Sequence, residues 1–458
     1  MTPPVAAAAR GEELNRALRP RHVTLISLGG IIGAGLFVGS GTAITTAGPA
    51  VVLSYLIAGT VLLLVMRMLA ELAAALPGVH AFTEFPRAVL GRRAGFIAGW
   101  LYWYFWVIVV PVEAIAGANL LAAWLPAPVW VLGSSIIAVM IAVNLLAVHL
   151  FGEFEFAFAA LKVVALCAFI VLAAVFVLSG RVSPVPVLSH LTGVGGLAPH
   201  GLTGVLAASV TAFFSLTGAE VTTVAAAEAI DPTRVLQRTT RLLVLRTVVF
   251  YLVSIALILC ILPWTAVRAG ISPFTLALAA MGFPQSRSLM SAVILVAVLS
   301  TLNAAFYVCS RTLFLLARNG DAPRWLTQLD SRRVPTRSLL VSALGGLVGV
   351  GAAAYFPQGT YGFLVNASGS IMVFLYAMIA ASQITVRRRR TCGDGCAPVV
   401  TLRWFPWSSY LALGVMVLLL LAMAVTPSMR PDLYCSGFAI LAAMGAAHVA
   451  HSRSRRAR

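Results

Sequence analysis

Long apolar runs separated by short polar loops set the pattern of this chain. A helix that crosses a bilayer needs about 20 predominantly apolar residues. Runs of that kind recur over Val23–Ala43, Val51–Ala75, Ala94–Trp124, Val129–His149, Phe156–Ser179 and Leu202–Ala229. They continue over Val244–Leu262, Leu289–Ala317, Leu339–Phe356, Phe363–Val386, Ser408–Val425 and Leu433–Ala450. The pattern predicts an all-α polytopic membrane protein with 12 transmembrane helices and no sizeable soluble domain.

Two of these runs are interrupted. In the first, Gly29, Gly30, Gly33 and Gly35 crowd into seven positions, and each weakens a helix by roughly 1 kcal/mol relative to alanine. In the sixth, Phe214-Ser215-Leu216-Thr217-Gly218-Ala219 leads directly into Glu220. Unwound backbone at membrane depth is tolerated only where protein or a water-filled cavity surrounds it. Interrupted spans at corresponding places in two halves of a chain mark the binding site of a transporter. The expectation is a carrier whose ligand lies between helices one and six.

Composition agrees with the spans. Charged residues make up 10% of the 458, hydrophobic residues 60%, and the mean hydropathy is +0.97. A net charge of +18 raises the question of nucleic acid, which its distribution answers in the negative. Of the 32 basic residues, 27 fall on one side of the predicted membrane, including Arg10, Arg67, Arg234, Arg311, the run Arg387–Arg390 and Arg458. Arg181, Arg268, Arg287 and Arg430 fall on the other, and Lys162 stays inside a span. By the positive-inside rule both termini are cytoplasmic. The Arg387–Arg390 run is explained by topology, with anionic lipid head groups as the other reading. Residues Met1 to His22 are polar and read as a cytoplasmic tail, not a cleaved signal peptide.

Ionisable residues at depth are expensive and read as functional by default. They are Glu113 in the third span, Lys162 in the fifth, and Glu220 in the sixth. Glu220 follows the break and is assigned proton coupling or substrate sensing, against a structural hydrogen-bond anchor. Glu113 follows the aromatic stretch from Trp100 to Trp106 and reads either as a substrate contact or as an internally paired group. Within that stretch Trp103 and Trp106 are the candidates for lining a site, although aromatics at helical spacing are more often packing. Glu228 and Glu71 lie near span ends and read as interfacial, Glu71 with Arg67 one helical turn away.

Cys167, Cys260 and Cys309 read as small packing residues. Cys392 and Cys396 flank a short loop but lack the further ligands a closed metal site requires. No metal or cofactor is expected. Among the seven histidines no Ser–His pair or metal spacing appears, and His22 and His149 sit at span ends, so an intramembrane enzyme is not expected.

Eight stretches then carry a resemblance. They are RHVTLISLGGIIGAGLFVGSG, AGPAVVLSYLIAGT, MRMLAELA, GWLYWYFWVIVVPVEA, FGEFEF, SLTGAEVTTVAAAEA, LNAAFYVCSRTLFLLARNGDAP and YAMIAASQ. Together they resemble the amino acid permease branch of the amino acid–polyamine–organocation superfamily, and within it the bacterial gamma-aminobutyrate (GABA) permeases. Permeases for aromatic amino acids, proline, or alanine and glycine share most of these motifs.

The resemblance implies a five-plus-five inverted repeat with two extra helices. Its parts here would be a tail over 1–22, a first repeat over 23–179, a second over 202–386, helices eleven and twelve over 408–450, and a tail over 451–458. It implies a bacterial cytoplasmic membrane, an amino acid as substrate and protons as coupling ion. The substrate carboxylate would rest on the N–H groups of Gly33, Ala34 and Gly35, at the positive end of a half-helix. The ammonium would meet carbonyls of Ile31, Phe214 and Thr217, with Ser215 and Gly218 in the same break and Phe214 as an aromatic gate. Lys162 matches a lysine that fills a sodium position in proton-coupled relatives, and Ser300 and Asn303 fall in the second cation-site region.

The competing readings are an amino acid exchanger, a sodium symporter and a membrane amino acid sensor. Lys162 argues against sodium. A sensor would need a larger cytoplasmic part than the tail His451–Arg458.

Overall fold

The computed structural model describes residues 31–76, 78–79, 81–146, 151–180, 187–221, 248–283, 286–330, 334–356, 359–391, 402 and 404–456. His22, Gly29, Gly30, His149, Glu228, Cys392 and Cys396 lie outside the described residues. Among those described, the chain is helical almost throughout and forms no strand.

A π-helical turn at Gly35–Gly39 leads into α1 (Ser40–Ala47), and a short 3₁₀ turn at Gly48–Ala50 joins it to α2 (Val51–Ala75). There follow α3 (Glu84–Leu90), α4 (Arg92–Leu121), α5 (Val129–Leu146), α6 (Phe151–Leu178), α7 (Val187–Thr192) and α8 (Gly201–Leu216). After α9 (Val248–Ile261) come α10 (Pro273–Ala280), α11 (Ser286–Arg318), α12 (Thr336–Tyr355), α13 (Thr360–Thr391), α14 (Trp407–Val425) and α15 (Arg430–Arg456). Among the described residues seven stretches are long and apolar enough to cross a bilayer, and α5, α8 and α9 are shorter apolar helices. The run predicted over Leu202–Ala229 is helical to Leu216, where the break intervenes.

Hydrophobicity on all sides of a helix marks it for the core, and α4 shows this. Every residue from Phe105 to Ala118 is buried, Glu113 included. It packs against α5, α11, α12, α13 and α15. The contact with α12 depends on small residues. A Cβ on Gly345 would fall 2.6 Å from Val107, and one on Gly349 the same distance from Pro111. Without aggregation driven by water, close backbone approach of this kind is what holds transmembrane helices together.

On α6 the opposite pattern holds. Leu161, Val164, Val171, Val175 and Leu178 are exposed, whereas Lys162, Leu166, Phe169 and Ala173 form one buried stripe at helical spacing. The exposed apolar side chains suit lipid, and Lys162 lies on the stripe that faces protein.

Glu71 departs from the interfacial expectation. Its side chain is buried and pairs with Arg387 on α13, not with Arg67. It also accepts from the amide of Gln383 at 3.2 Å and from the backbone N–H of Leu402 at 2.9 Å. The reason is that α13 continues to Thr391, past the apolar run, and carries Arg387 back over the end of α2. Arg387 is therefore an internal partner, whereas its neighbour Arg388 meets the hydroxyl of Tyr410.

Candidate functional site

The first break lies at Ile32 and Gly33. Helical bonding lapses there, and the Gly33 carbonyl then accepts from Leu36 and Phe37, both at 3.2 Å, to start the π-helical turn. Glycine is required because neighbours press in. A Cβ on Gly33 would meet Thr301 and would lie 2.9 Å from a carboxylate oxygen of Glu113. A Cβ on Gly35 would lie 2.7 Å from the Cα of Ser215.

The second break ends α8. The Thr217 N–H bonds back to Phe213 and Phe214 at 3.0 and 3.2 Å, and Thr217 itself turns extended at ψ 149°. Gly218 follows at φ 121°, a conformation that glycine alone takes readily. Glu220 then folds back, so that its Oε2 accepts from the Gly218 N–H at 3.1 Å and from the hydroxyl of Tyr376 at 3.0 Å.

The two breaks face one another, since α1 and the π-helical turn pack directly on α8. Between them lies a cavity of about 20 Å³, lined by Ile31, Gly35, Phe105, Trp106, Val109, Glu113, Phe214, Ser215, Thr217 and Thr301. Such a volume has room for about one water.

The polar groups around it are shared between elements. The Glu113 carboxylate straddles the Ala34 N–H, with oxygens at 3.1 and 3.2 Å. Ser215 Oγ donates to the Gly35 carbonyl at 2.7 Å and also lies 3.0 Å from the Thr211 carbonyl, while Tyr55 donates to it at 3.2 Å. The hydroxyl of Tyr251, on α9, lies 2.8 Å from the carbonyl oxygens of both Ile31 and Ser215. One hydroxyl thus bridges the two interrupted helices. Thr301 and Tyr361 reach the carbonyls of Ile32 and Ala34 at 3.4 Å each.

Of the residues singled out from the sequence, Ile31, Gly35, Phe214, Ser215, Thr217, Glu113 and Trp106 line the cavity. Gly33 and Ala34 form the adjoining turn. Lys162 is fully buried on α6, which packs on α11. Ser300 is fully buried on α11. Glu220 and Gly218 lie beyond the cavity wall, in the turn that closes α8. Trp103 is directed away, its indole N–H donating to Ser342 on α12 at 2.9 Å. Asn303 accepts from Asn144 on α5 at 2.7 Å and ties two helices together. Sequence reasoning missed Tyr55, Tyr251, Thr301 and Tyr361. Tyr251 stands in an apolar run, Tyr55 and Thr301 follow Ser54 and Ser300 in apolar runs, and Tyr361 follows Thr360 just before one; hydroxyls in or beside such runs were the available signal.

Backbone breaks that face one another in a helical membrane bundle define a transport protein. Two solved transporters share the fold over nearly its whole length. MHP1, a nucleobase-cation-symport-1 family transporter in a closed conformation with bromovinylhydantoin bound, superposes with a TM-score of 0.56 at 18% identity, over 96% of this chain and 94% of that one. The manganese transporter of Eremococcus coleocola gives 0.54 at 15% identity, over 95% and 94%.

The chain belongs to the amino acid permease family, whose model matches residues 22–456. It is 40% identical to the "Probable GABA permease" of Pseudomonas aeruginosa over 93% of this chain and 90% of that one. It is 38% identical to the gamma-aminobutyric acid permease of Bacillus subtilis, over 93% and 91%. To the aromatic amino acid transport protein AroP of Escherichia coli K12 it is 36% identical, over 93% of each. It is a multi-pass membrane protein of amino acid transport.

Proposed function

We propose that this permease imports an amino acid, GABA or another neutral one, across the cytoplasmic membrane by proton symport with alternating access. Both termini face the cytoplasm, and the five-plus-five repeat over 23–179 and 202–386 supplies the two bodies that rock about a fixed site. The observation that carries this reading is the small cavity between the two breaks, with the Ala34 N–H at its edge and both half-helices contributing to its wall.

The substrate carboxylate would sit on the turn at Gly33, Ala34 and Gly35, where the positive end of the π-helical turn leading into α1 favours an anion. Its ammonium would meet the carbonyls of Ile31, Phe214 and Thr217. Trp106, Phe105 and Phe214 give the apolar wall for the carbon chain. Lys162 would take the place of a sodium ion in tying the first helix to the fifth, with Ser300 on α11 in the second cation-site region. Glu220, tied to the break by Gly218 and Tyr376, is the second carrier of charge at depth.

The test is uptake into proteoliposomes of labelled GABA, alanine, proline and phenylalanine, with and without an imposed pH gradient and with sodium replaced by choline. Accumulation of at least one amino acid that requires the proton gradient and ignores sodium supports the reading. Strict sodium dependence, or failure to accumulate any of them, overturns it. Phenylalanine is included because relatives named for aromatic amino acids match almost as well as those named for GABA.

A further inference from the structure

We infer that Glu113 is an internal competitor for the substrate carboxylate, and that displacing it is what restricts the site to molecules carrying an ammonium as well. The inference rests on the carboxylate seat proposed above. That seat already holds a carboxylate, that of Glu113, with both oxygens within 3.2 Å of the Ala34 N–H. It reaches there from the middle of α4, 79 residues away in sequence. Gly33 lacks the Cβ that would come within 2.9 Å of Oε1, so the turn leaves a path for this side chain. The cavity of about 20 Å³ has no room for a second carboxylate beside the first.

An incoming anion must therefore push Glu113 off the N–H. The displaced carboxylate has few places to go. Val109, one helical turn before it on α4, and Trp106 present apolar surface, and the hydroxyls of Ser215, Thr217 and Thr301 already donate to backbone carbonyls, so an unpaired charge left there would be costly. A ligand with an ammonium compensates the displaced group directly. One with a carboxylate alone does not, and is rejected although it fits the seat.

Butyrate is the probe, being GABA without its ammonium. Binding of butyrate and of GABA is measured by calorimetry on the purified full chain, as wild type, Glu113→Gln and Glu113→Asp. The glutamine keeps the shape and loses the charge; the aspartate keeps the charge but is one methylene short of the Ala34 N–H. We expect butyrate to bind about tenfold or more tighter to Glu113→Gln than to wild type, the scale of one charge-assisted hydrogen bond. GABA should lose affinity in the same variant, so the preference for the zwitterion collapses. Glu113→Asp should gain butyrate affinity by less and keep more of its GABA binding.

Unchanged or weaker butyrate binding in Glu113→Gln overturns the inference, as does absence of butyrate binding to every chain. Loss of GABA binding with butyrate unchanged would make Glu113 an ammonium partner only, which also overturns it. If Glu113→Gln elutes aggregated, the aspartate variant decides by the same comparison. Failure of the transport reading shows separately, as absence of uptake of every amino acid by the wild type.

Discussion

Gly35 and Ser215 meet backbone to backbone across the two interrupted helices. The Ser215 hydroxyl donates to the Gly35 carbonyl at 2.7 Å, and the space where a Cβ of Gly35 would stand is 2.7 Å from the Ser215 Cα. The same glycine that weakens the first helix therefore lets the second lie against it. A side chain at Gly35 would strike that backbone.

Gly35→Ala is accordingly expected to lose uptake and to lower the melting temperature in detergent, because the contact is with Ser215 backbone that cannot rotate away. Overpacking of this kind costs about 1–3 kcal/mol. Gly39→Ala is the control, since a Cβ there comes no closer than 3.5 Å to the Ala34 carbonyl or to Ser215. Equal behaviour of the two variants would show that the approach of the half-helices is not limiting.

Tyr251→Phe removes the one hydroxyl bridging the carbonyls of Ile31 and Ser215. Interhelical hydrogen bonds in membranes average about 0.6 kcal/mol and reach about 1.7, so the variant should fold. It should transport more slowly, because the registry of the two breaks is no longer held. Initial uptake rates and detergent melting, measured together, check this. A rate equal to wild type would mean that Ser215 and Gly35 suffice to hold the pair.

Much of this site was legible in the sequence, and the limits have physical causes. Glycines clustered in a run that must span lipid have few explanations, and in the sixth run Ser215, Thr217 and Gly218 lead directly into Glu220, so both breaks were visible. Glu113 was visible as a charge at depth, but its partner was a backbone N–H 79 residues away, and backbone donors carry no sequence signal. Trp103 and Trp106 could not be told apart by spacing. Three residues on a helix leave both near one face, and only the packing of α12 sends Trp103 to Ser342. Tyr251 is a tyrosine in an apolar run, which reads as packing until the two carbonyls beside it are seen. The partner of Glu71 was misjudged because α13 outruns its apolar segment.

That last pairing has its own consequence. Glu71 is buried on α2, and its oxygens meet Arg387, Gln383 and the Leu402 N–H. Removing one partner of a buried pair costs about 3–5 kcal/mol, because the other charge is left unpaired. Arg387→Ala should therefore destabilise far more than Arg389→Ala, although both belong to the same basic run. The double variant Glu71→Gln with Arg387→Ala should recover part of the loss. Melting in detergent across the four chains measures it, and equal effects of Arg387→Ala and Arg389→Ala would mean that the run acts only through topology.

Lys162 bears on the source of energy. It is the basic residue on the buried stripe of α6 and is fully enclosed. An ammonium at that depth persists only where protein compensates its desolvation. Two roles follow from that placement. As a permanent pin, it would hold helices together with its proton fixed; as a carrier, it would release the proton during the cycle. Lys162→Met keeps the length and apolar bulk of the side chain without the charge, and should abolish gradient-driven accumulation. Sodium should have no effect on the wild type. Counterflow exchange at a fixed pH separates the roles, with folding followed by size exclusion. Retained exchange without accumulation would assign the proton to Lys162, because the carrier still turns over when no net proton movement is asked of it. Loss of both, in a folded variant, would make Lys162 the pin and leave Glu220 as the carrier of the proton. Sodium-stimulated uptake by the wild type would exclude both roles, since the ammonium could not then stand in the place of the ion.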